Sequence, residues 1–379
     1  MTRSAGQRRL LLLFRCWRTA ALVALLVALA APFVAPVQAQ DEQIDKVSIV
    51  APASRTNGGW DQQGVDNLVA VAEARGLEVE VAEEAGYDDI TPILQDLADN
   101  GADLIICHAS GYQTVCPEFA AQSGVRVAVI ENPGAVDAAL IADIETQAQE
   151  AAYLAGVLAG QETRSGIVGV VVSGEPPTWN FMTVGFAEGL KATRPDARLV
   201  YSVIGEAAYD DAANAKRVTD STLAAGADII FGMGDGASFG MIQSIREFNA
   251  GQPPEQQARF IDVIGDKSAT DARQILLSSV LFDYTGVYTQ MLDNIASGSF
   301  GQVYTMTLAN GGVRLLDLPL GDTSTPVAAT PIATPSAGGG TVQGAVATAQ
   351  QAIIAGEITV SAVGDPADVH QRLAELFPT

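Results

Sequence analysis

Short runs of apolar and β-branched residues alternate with longer amphipathic stretches from Lys46 onward, and this alternation limits the possible folds more than any other feature. Turn residues bound the short runs, and helical periodicity fills the intervals between them. Such a pattern is typical of βα units that build a parallel sheet, so the sequence predicts an α/β fold. The predicted strands are residues 47–51, 77–81, 103–107, 126–130, 166–172, 197–204, 228–231 and 259–264.

Two halves of the chain echo each other. The stretch NGADLII at residues 100–106 returns as AGADIIF at residues 225–231, each after an amphipathic stretch. A strand and loop that lead to Trp60 also correspond to a strand and loop that lead to Trp179. We therefore predict two similar lobes with parallel sheets. Their expected bounds, within a ligand-binding domain at residues 40–322, are about 43–145 and about 165–265, with later segments crossing a hinge.

Both of these tryptophans follow the carboxyl end of a predicted strand. In doubly wound sheets the loops at that edge form the ligand crevice, and helix N-termini there present unpaired N–H groups. A tryptophan on one loop is more often a packing residue, but an indole at the equivalent place in each lobe favours stacking on a flat ligand. Asp61 and Asn180 follow the tryptophans, and each is either a helix N-cap or a ligand contact. Tyr112, after the strand at 103–107, is either a core residue or a stacking residue.

The first 39 residues resemble a targeting segment. Five arginines precede an apolar run at residues 20–36, which is followed by the small-x-small pattern Val37-Gln38-Ala39. This arrangement predicts a signal peptide or, if it is not cleaved, an N-terminal anchor, since the apolar run approaches the about 20 residues that a span needs. In both cases we expect the rest of the chain to lie outside the cytoplasm, at the cell surface or in the periplasm and associated with the plasma membrane.

The charge of the chain argues against nucleic-acid partners. The formal net charge is −23, and all five arginines of the leader contribute to the 21 basic residues that face 44 acidic ones. A duplex carries a phosphate charge about every 1.7 Å along its axis, so a surface this acidic would repel it. We therefore predict no nucleic-acid binding.

The sequence offers little for catalysis or metal binding. Beyond Cys16 in the leader, only Cys107 and Cys116 are present, and they form either a disulfide or two separate thiols. The chain has two histidines and no Cys-x-x-Cys spacing, so we predict no metal site. A Gly-x-Gly-x-x-Ala pattern at residues 232–237 is a weak dinucleotide signal on its own, and no nucleophile motif is present. We predict neither an enzyme nor a cofactor.

The composition changes after about residue 318. Residues 323–341 are rich in Thr, Pro, Ala and Gly, which predicts a disordered insertion. Helical periodicity resumes beyond it, and residues 357–360 resemble a short strand. We therefore predict that residues 342–379 form a helix, a strand and a helix that pack back on one lobe.

Several stretches together resemble a known family. The loop TNGGWDQ at residues 56–62, the helix ETQAQEAAYLAGVLAG at 145–160, the segment 166–190 with its Gly-Phe-x-x-Gly, and Ile264-Gly265-Asp266 stand in the order and spacing of that family. The chain resembles the basic membrane protein family of extracytoplasmic substrate-binding lipoproteins, whose best understood type is a purine nucleoside receptor of ABC importers. This resemblance covers roughly residues 46–318.

The resemblance implies a type I periplasmic-binding-protein fold that closes on a small planar solute. It places the stacking aromatic at Trp60 or Tyr112, the group that reads the base at Asp61, and the acid that binds the ribose at Asp266. Trp179 and Asn180 would lie on the loop of the second lobe, with Gly234 in a turn near the ligand. Phe282 stands where family members commonly have a lysine, and Lys267 is an alternative cation. Asp262, inside a strand, is expected to pair with Arg259 or to support the hinge.

The expected function is the capture component of an ABC importer, a monomer that delivers a nucleoside-like solute to permease and ATPase subunits. One alternative is a ligand sensor that signals without import. Another alternative is an enzyme that acts on nucleosides or sugars.

Overall fold

The computed structural model describes residues 44–317 and 342–378, so the predicted leader at 1–39 and the predicted insertion at 323–341 lie outside the described residues. The described residues belong to one compact unit with two six-stranded sheets. Sheet 1 contains β1 (Lys46–Val50), β2 (Glu78–Ala82), β3 (Leu104–Cys107), β4 (Arg126–Ile130), β5 (Ile141–Thr146) and β11 (Val303–Met306). Sheet 2 contains β6 (Ile167–Val172), β7 (Arg198–Val203), β8 (Ile229–Met233), β9 (Arg259–Ile264), β10 (Leu276–Phe282) and β12 (Val313–Leu315).

Helices follow most of the strands. The α-helices are α1 (Trp60–Arg75), α2 (Thr91–Asp99), α3 (Val115–Ser123), α4 (Ala148–Glu162), α5 (Pro177–Thr193), α6 (Ala212–Ala224), α7 (Ser238–Ala250), α8 (Thr285–Ala296), α9 (Val342–Ile354) and α10 (Pro366–Leu376). Short 3-10 turns lie at Ser110–Tyr112, Pro133–Ala135, Pro254–Gln256 and Asp271–Gln274. Within the described ranges, no helix has both the length and the apolar character needed to cross a bilayer.

The two sheets have the same topology. Their strand orders are β11-β5-β4-β3-β1-β2 and β12-β10-β9-β8-β6-β7, which coincide when β6–β10 are matched to β1–β5. All pairs are parallel except that of β10 with β12, which is antiparallel. This topology confirms the predicted α/β class with two parallel-sheet lobes.

Each sheet has helices on both faces, as parallel sheets require. In lobe 1, Val47 and Ile49 of β1 face the side of α1, whereas Val50 faces the side of α2 and α3. In lobe 2, α4 and α5 cover one face and α6 and α7 the other. One continuous apolar cluster includes residues of α1, α4 and α8, so the cores of the two lobes are joined.

The chain passes between the lobes three times: from β5 through α4 to β6, from β10 through α8 to β11, and from β11 to β12. The last strand of each sheet therefore comes from the far end of the described domain. The two lobes are therefore connected by three segments of the chain rather than by a single linker.

Two of the family-like stretches pack α4 against α5. A Cβ atom on Gly156 would overlap the carbonyl oxygen of Phe186, and one on Gly189 would overlap that of Tyr153. Glycines on both helices thus let the two backbones approach to contact distance. Helix packing therefore explains the Gly-Phe-x-x-Gly pattern, and no ligand contact is needed to account for it.

The C-terminal segment differs from its prediction in one element. Helices α9 and α10 are present, but residues 357–360 form an irregular connection and no strand. Helix α9 packs on α4, and α10 packs on α5.

Candidate functional site

A cleft lies between the lobes at the carboxyl ends of the strands. The space in it that can hold water-sized molecules is about 60 Å³. This is well below the about 300–1,000 Å³ usual for small-molecule sites, so a ligand larger than a few water molecules requires the lobes to separate further. Lobe 1 contributes Pro52, Trp60, Asp61, Tyr87, Ala109, Ser110 and Glu131. Lobe 2 contributes Pro176, Thr178, Trp179, Tyr209 and Asp235. Trp60, Asp61 and Trp179 are thus the predicted site residues that line this cleft.

Trp60 is held rigidly by a histidine behind it. Its ring stacks on the ring of His108 with centroids 5.0 Å apart and an interplanar angle of 23°. The Trp60 Nε1–H donates to the His108 carbonyl at 3.2 Å, and His108 Nε2 donates to the Trp60 carbonyl at 2.9 Å. His108 is fully buried, and this burial lowers its pKa to about 4. The imidazole is therefore neutral at pH 7, and it serves as a flat apolar support for the indole.

Trp179 presents an indole from the opposite lobe. It lies in the first turn of α5, is only 5% exposed, and meets the ring of Tyr209 edge-on at 5.2 Å. Tyr87 of lobe 1 is 59% exposed and lies against the buried ring of Tyr112 at 6.1 Å. Each lobe therefore supplies one tryptophan and one tyrosine to the same cleft.

Three carboxyl groups line the cleft with these rings. Asp61 accepts hydrogen bonds from the Ala53 N–H at 3.2 Å and from Asn57 Nδ2 at 2.7 Å, yet burial still raises its pKa above the ordinary value. Burial also raises the pKa of Asp235 to about 7, with the nearby Asp61 charge adding to the shift. These carboxyl groups are costly to desolvate as anions, so they favour a ligand that donates hydrogen bonds.

Glu131 is the third carboxyl group. Burial raises its pKa to about 7, and the nearby Glu145 and Asp143 add to the rise. Among the described residues, no hydrogen-bond or ion-pair partner is present for its side chain. No lysine, arginine or histidine is among the described residues that line the cleft. The cleft is therefore acidic and aromatic, with acceptors that a ligand can satisfy.

The other predicted contact residues do not line the cleft. Tyr112 is buried and donates its hydroxyl to the Gly86 carbonyl at 2.6 Å. Asn180 is buried, and its Nδ2 donates to the carbonyls of Glu175 and Gly364. Gly234 packs against Ala237. Asp266 is exposed and accepts from the Ser268 N–H at 2.8 Å.

Lys267 is buried and forms an ion pair with Asp262. Of the two roles expected for Asp262, the pairing with Arg259 is therefore wrong, because Lys267 reaches this carboxylate from the turn after the same strand. Lys267 Nζ also donates to the Gly58 carbonyl of lobe 1 at 2.8 Å. Its charge is already neutralised within the protein and is not directed at the cleft.

The disulfide Cys107–Cys116 is formed, which decides between the two alternatives left by the sequence. It closes the segment that carries Ala109 and Ser110 into the cleft lining. The bridge therefore restrains one of the loops that build the site.

The residues that sequence reasoning missed share a simple signal. Tyr87, Glu131, Tyr209 and Asp235 each follow one of the predicted strands. The rule that ligands bind at the carboxyl ends of parallel strands applies to all these loops. Applied to every loop rather than to the two tryptophan loops, it would have selected these residues too.

The loop before Trp60 touches lobe 2 directly. The Trp60 N–H, at the start of α1, donates to Asp235 Oδ1 at 2.8 Å. A Cβ atom on Gly59 would overlap this carboxylate, and one on Gly265 would overlap the Gly58 carbonyl. Glycines at these positions allow the two lobes to meet at backbone distance, so the arrangement is a closed one.

Comparisons with known proteins agree with this architecture. The family described as ABC transporter substrate-binding protein PnrA-like (Bmp) matches residues 44–329. The ABC transporter nucleoside-binding protein BmpA of Lactococcus lactis is 24% identical over 198 residues, which are 49% of this chain and 54% of that protein. The chain therefore spans about half the length of that curated relative.

Two further similarities are informative. The transcriptional activator protein med of Bacillus subtilis is 24% identical over 206 residues, covering 54% of this chain and 63% of that protein. The crystal structure of an ABC transporter solute-binding protein from Aeropyrum pernix has a TM-score of 0.69 at 19% identity, covering 88% of this chain and 97% of that one. At this identity the structural likeness concerns the fold.

Proposed function

The chain belongs to the family of PnrA-like ABC transporter substrate-binding proteins, and from that premise we propose that it captures a small planar solute of the nucleoside class for an ABC importer. The observation that carries the proposal is the position of Trp60 and Trp179, one from each lobe, in the lining of one cleft. Closure of the lobes around the ligand would bring both indoles against it.

The chemistry of the cleft fits a nucleoside. Stacking of a base on an aromatic side chain contributes about 1–3 kcal/mol. The carboxyl group of Glu131, which has no partner among the described residues, can accept hydrogen bonds from hydroxyl or amino groups, and Asp61 offers a second acceptor. A wrong ligand that leaves such a group unpaired in the closed cleft would lose about 1–3 kcal/mol.

The acidic lining also selects against phosphorylated ligands. A phosphate group would lie near Asp61, Glu131 and Asp235 without a lining cation to neutralise it. At pH 8, where Glu131 and Asp235 are mostly ionised, we expect adenosine to bind at least about 100-fold more tightly than adenosine monophosphate, since each like-charge contact in a partly desolvated site costs more than 1 kcal/mol. Calorimetric titration of the two compounds measures this ratio. Equal affinities would contradict the proposed role of the carboxyl groups.

The proposal includes a location and partners. As a substrate-binding protein, the chain would act outside the cytoplasm at the outer face of the plasma membrane. It would be exported by its predicted leader and would deliver its ligand to permease and ATPase subunits as a monomer. It would release the ligand chemically unchanged.

The similarity to the transcriptional activator med favours one second candidate, a ligand sensor that signals without import. The two candidates differ in one cellular measurement. Deletion of the gene should abolish uptake of radiolabelled nucleoside if the protein serves an importer. Unchanged uptake with altered gene expression would instead support the sensor.

The binding proposal is tested on the purified protein. Adenosine, inosine and guanosine should each raise the melting temperature, whereas ribose and alanine should not, because neither offers a flat ring to stack on the indoles. Trp60→Ala should abolish the shift. Phe248→Ala is a matched aromatic control, since Phe248 is also half-buried but does not line the cleft. If sugars or amino acids alone shift the melting temperature, the nucleoside assignment is wrong.

A further inference from the structure

The C-terminal segment at residues 342–378 contacts the back of the lobe-2 ligand loop. This segment lies beyond residues 44–329, the part of the chain that matches the family. The loop it contacts runs from β6 to α5 and carries Pro176, Thr178 and Trp179 into the cleft. A part of the chain outside the family match thus touches a part of the proposed ligand site.

The first contact is a forked hydrogen bond. Asn180 is 1% exposed, and its Nδ2 donates both to the Glu175 carbonyl at 2.9 Å and to the Gly364 carbonyl at 2.7 Å. Asn180 immediately follows Trp179 in the first turn of α5. Its amide therefore ties the backbone on both sides of the tryptophan to the C-terminal segment.

A second contact is steric. A Cβ atom on Gly364 would lie 2.9 Å from the ring of Phe181 and 3.6 Å from Pro177. Both neighbours belong to the start of α5. A side chain at residue 364 would therefore displace the ring of Phe181, two residues after Trp179.

Ionic contacts continue along the same helix. Arg372 of α10 donates to Glu188 of α5 from Nη2 at 2.7 Å and from Nε at 3.2 Å. Ser361 donates to the same carboxylate from its N–H at 3.1 Å and its hydroxyl at 2.7 Å. Glu188 thereby accepts four hydrogen bonds from the C-terminal segment, which is unusual support for a partly exposed surface ion pair.

The C-terminal segment also contacts the loop between β6 and α5 directly. His370 Nε2 donates to Glu175 Oε1 at 2.8 Å, and the Tyr201 hydroxyl donates to the same oxygen at 2.9 Å. Glu175 precedes the two prolines that begin α5. Beneath these polar contacts, Val369 and Leu373 of α10 bury against Val184 and Ala187 of α5.

We propose that the C-terminal segment is a positioning element of the ligand site, which fixes the loop that carries Trp179 in the conformation that receives the ligand. The inference rests on the proposed function for the identity of the ligand, but not for the contacts. Asn180 acts as a positioning residue in this arrangement, rather than as the ligand contact that the sequence suggested. A loop that is ordered before binding loses less conformational entropy when the ligand arrives.

The test uses two substitutions in the segment, neither of which lies in the cleft lining. Gly364→Val presses on the ring of Phe181 in α5, and Arg372→Gln removes the charge that pairs with Glu188. Lys216→Gln is the matched control, because Lys216 also pairs with two acids, Asp220 and Glu247, on the same lobe but away from the loop. Arg372→Lys keeps the charge and is the conservative variant.

Two quantities are measured on the full-length protein. Without ligand, hydrogen exchange of the amides at residues 173–182 should become about tenfold faster in Gly364→Val and Arg372→Gln. Adenosine affinity, by calorimetry, should fall about five- to tenfold in the same two variants, which corresponds to the loss of roughly one net hydrogen bond. Lys216→Gln should stay within about twofold for both quantities, and Arg372→Lys should recover most of the loss.

The outcomes separate the two proposals. Unchanged exchange at residues 173–182 in both variants, or faster exchange with unchanged adenosine affinity, would overturn the positioning role. Both variants must retain the circular dichroism of the parent, and Arg372→Gln alone decides the matter if Gly364→Val does not fold. If the parent protein binds no nucleoside, the proposed function fails, and the exchange comparison by itself decides whether the segment orders the loop.

Discussion

Trp60 and Trp179 occupy equivalent places in two repeated lobes, but the protein holds them in different ways. Helix α1 begins at Trp60, and its N-cap residue Gly59 has no side chain to cap it. The carboxylate that accepts from the Trp60 N–H belongs to Asp235 of the other lobe. Helix α5 begins at Pro177 after Pro176, and its loop is fixed by the C-terminal segment within the same lobe.

This difference follows from the chemistry of helix starts. The first N–H groups of a helix have no partner within the helix. Proline at the first position removes one such group, so α5 needs less help at its start. A start with Gly58-Gly59-Trp60 keeps its N–H groups, and one of them finds its acceptor only when the lobes meet. Opening of the cleft should therefore loosen the Trp60 loop and leave the Trp179 loop in place.

The largest expected effect comes from Lys267→Met. This change removes the bond to the Gly58 carbonyl and leaves the Asp262 carboxylate buried without its cation. Breaking a buried pair from one side costs about 3–5 kcal/mol of unfolding free energy. Urea denaturation measures the loss. Hydrogen exchange should rise in the loop at residues 54–60 and stay unchanged at 173–180.

A double variant provides the control for this prediction. Lys267→Met combined with Asp262→Leu removes both charges and should recover most of the unfolding free energy, because no unpaired charge stays buried. The faster exchange at residues 54–60 should persist, since the contact to Gly58 is still lost. Equal protection of the two tryptophan loops in both variants would contradict the comparison.

Trp179→Ala and Trp60→Ala give the next effect. Trp179 is 5% exposed, so its truncation should cost about 3–5 kcal/mol of unfolding free energy. Trp60 is half-buried and should cost about 2 kcal/mol less, because part of its ring already faces the cleft. Urea denaturation of the two variants measures this order. Equal costs would mean that the two rings are supported alike, and a reversed order would contradict the comparison.

The sequence predicted most strands of the two lobes, but it did not predict the contacts that hold the two tryptophan loops. Eight strands were predicted close to their observed positions, because each is a short apolar run between turns. Strands β5 and β10 were missed because polar residues, Asp143 and Glu145 in β5 and Ser278 and Ser279 in β10, interrupt their apolar patterns. Strands β11 and β12 were missed because they are short and pair with strands far away in the sequence.

For the site residues as well, positions that depend on local sequence were predictable, and contacts between distant segments were not. Trp60, Asp61 and Trp179 could be placed in the cleft from loop position alone. Asn180 was assigned to the ligand because nothing nearby in the sequence reveals its acceptor at Gly364, 184 residues later. Contacts of this kind depend on how the segments pack, and a local pattern does not encode them.

The smallest expected effect is a pH dependence centred on Asp235. Its pKa is raised from the ordinary 3.8 to about 7, chiefly by burial. Between those two pH values the folded protein retains a proton that the unfolded chain has released, so the free energy of unfolding falls as the pH rises through this window. Asp235→Asn keeps an acceptor for the Trp60 N–H and should reduce the fall by about 1–2 kcal/mol. Denaturation at pH 4 and pH 7 measures the change, and Glu131, whose pKa is also about 7, supplies the dependence that persists.

Asp211→Asn is the matched control, because Asp211 caps α6 within its own lobe. It accepts from the Asn214 N–H at 2.9 Å, and this hydrogen bond lowers its pKa. The sign is then reversed: a group with a lowered pKa stabilises the folded state above its unfolded pKa, and the stabilisation is lost as the pH falls. Substitution of Asp235 should therefore flatten the decline between pH 4 and pH 7, whereas substitution of Asp211 should leave the slope in that range nearly unchanged and remove a stabilisation that is lost only below about pH 4. The same slope in both variants would show that a cap from across the cleft behaves like a cap from within one lobe, and the contrast between the two tryptophan loops would then need another cause.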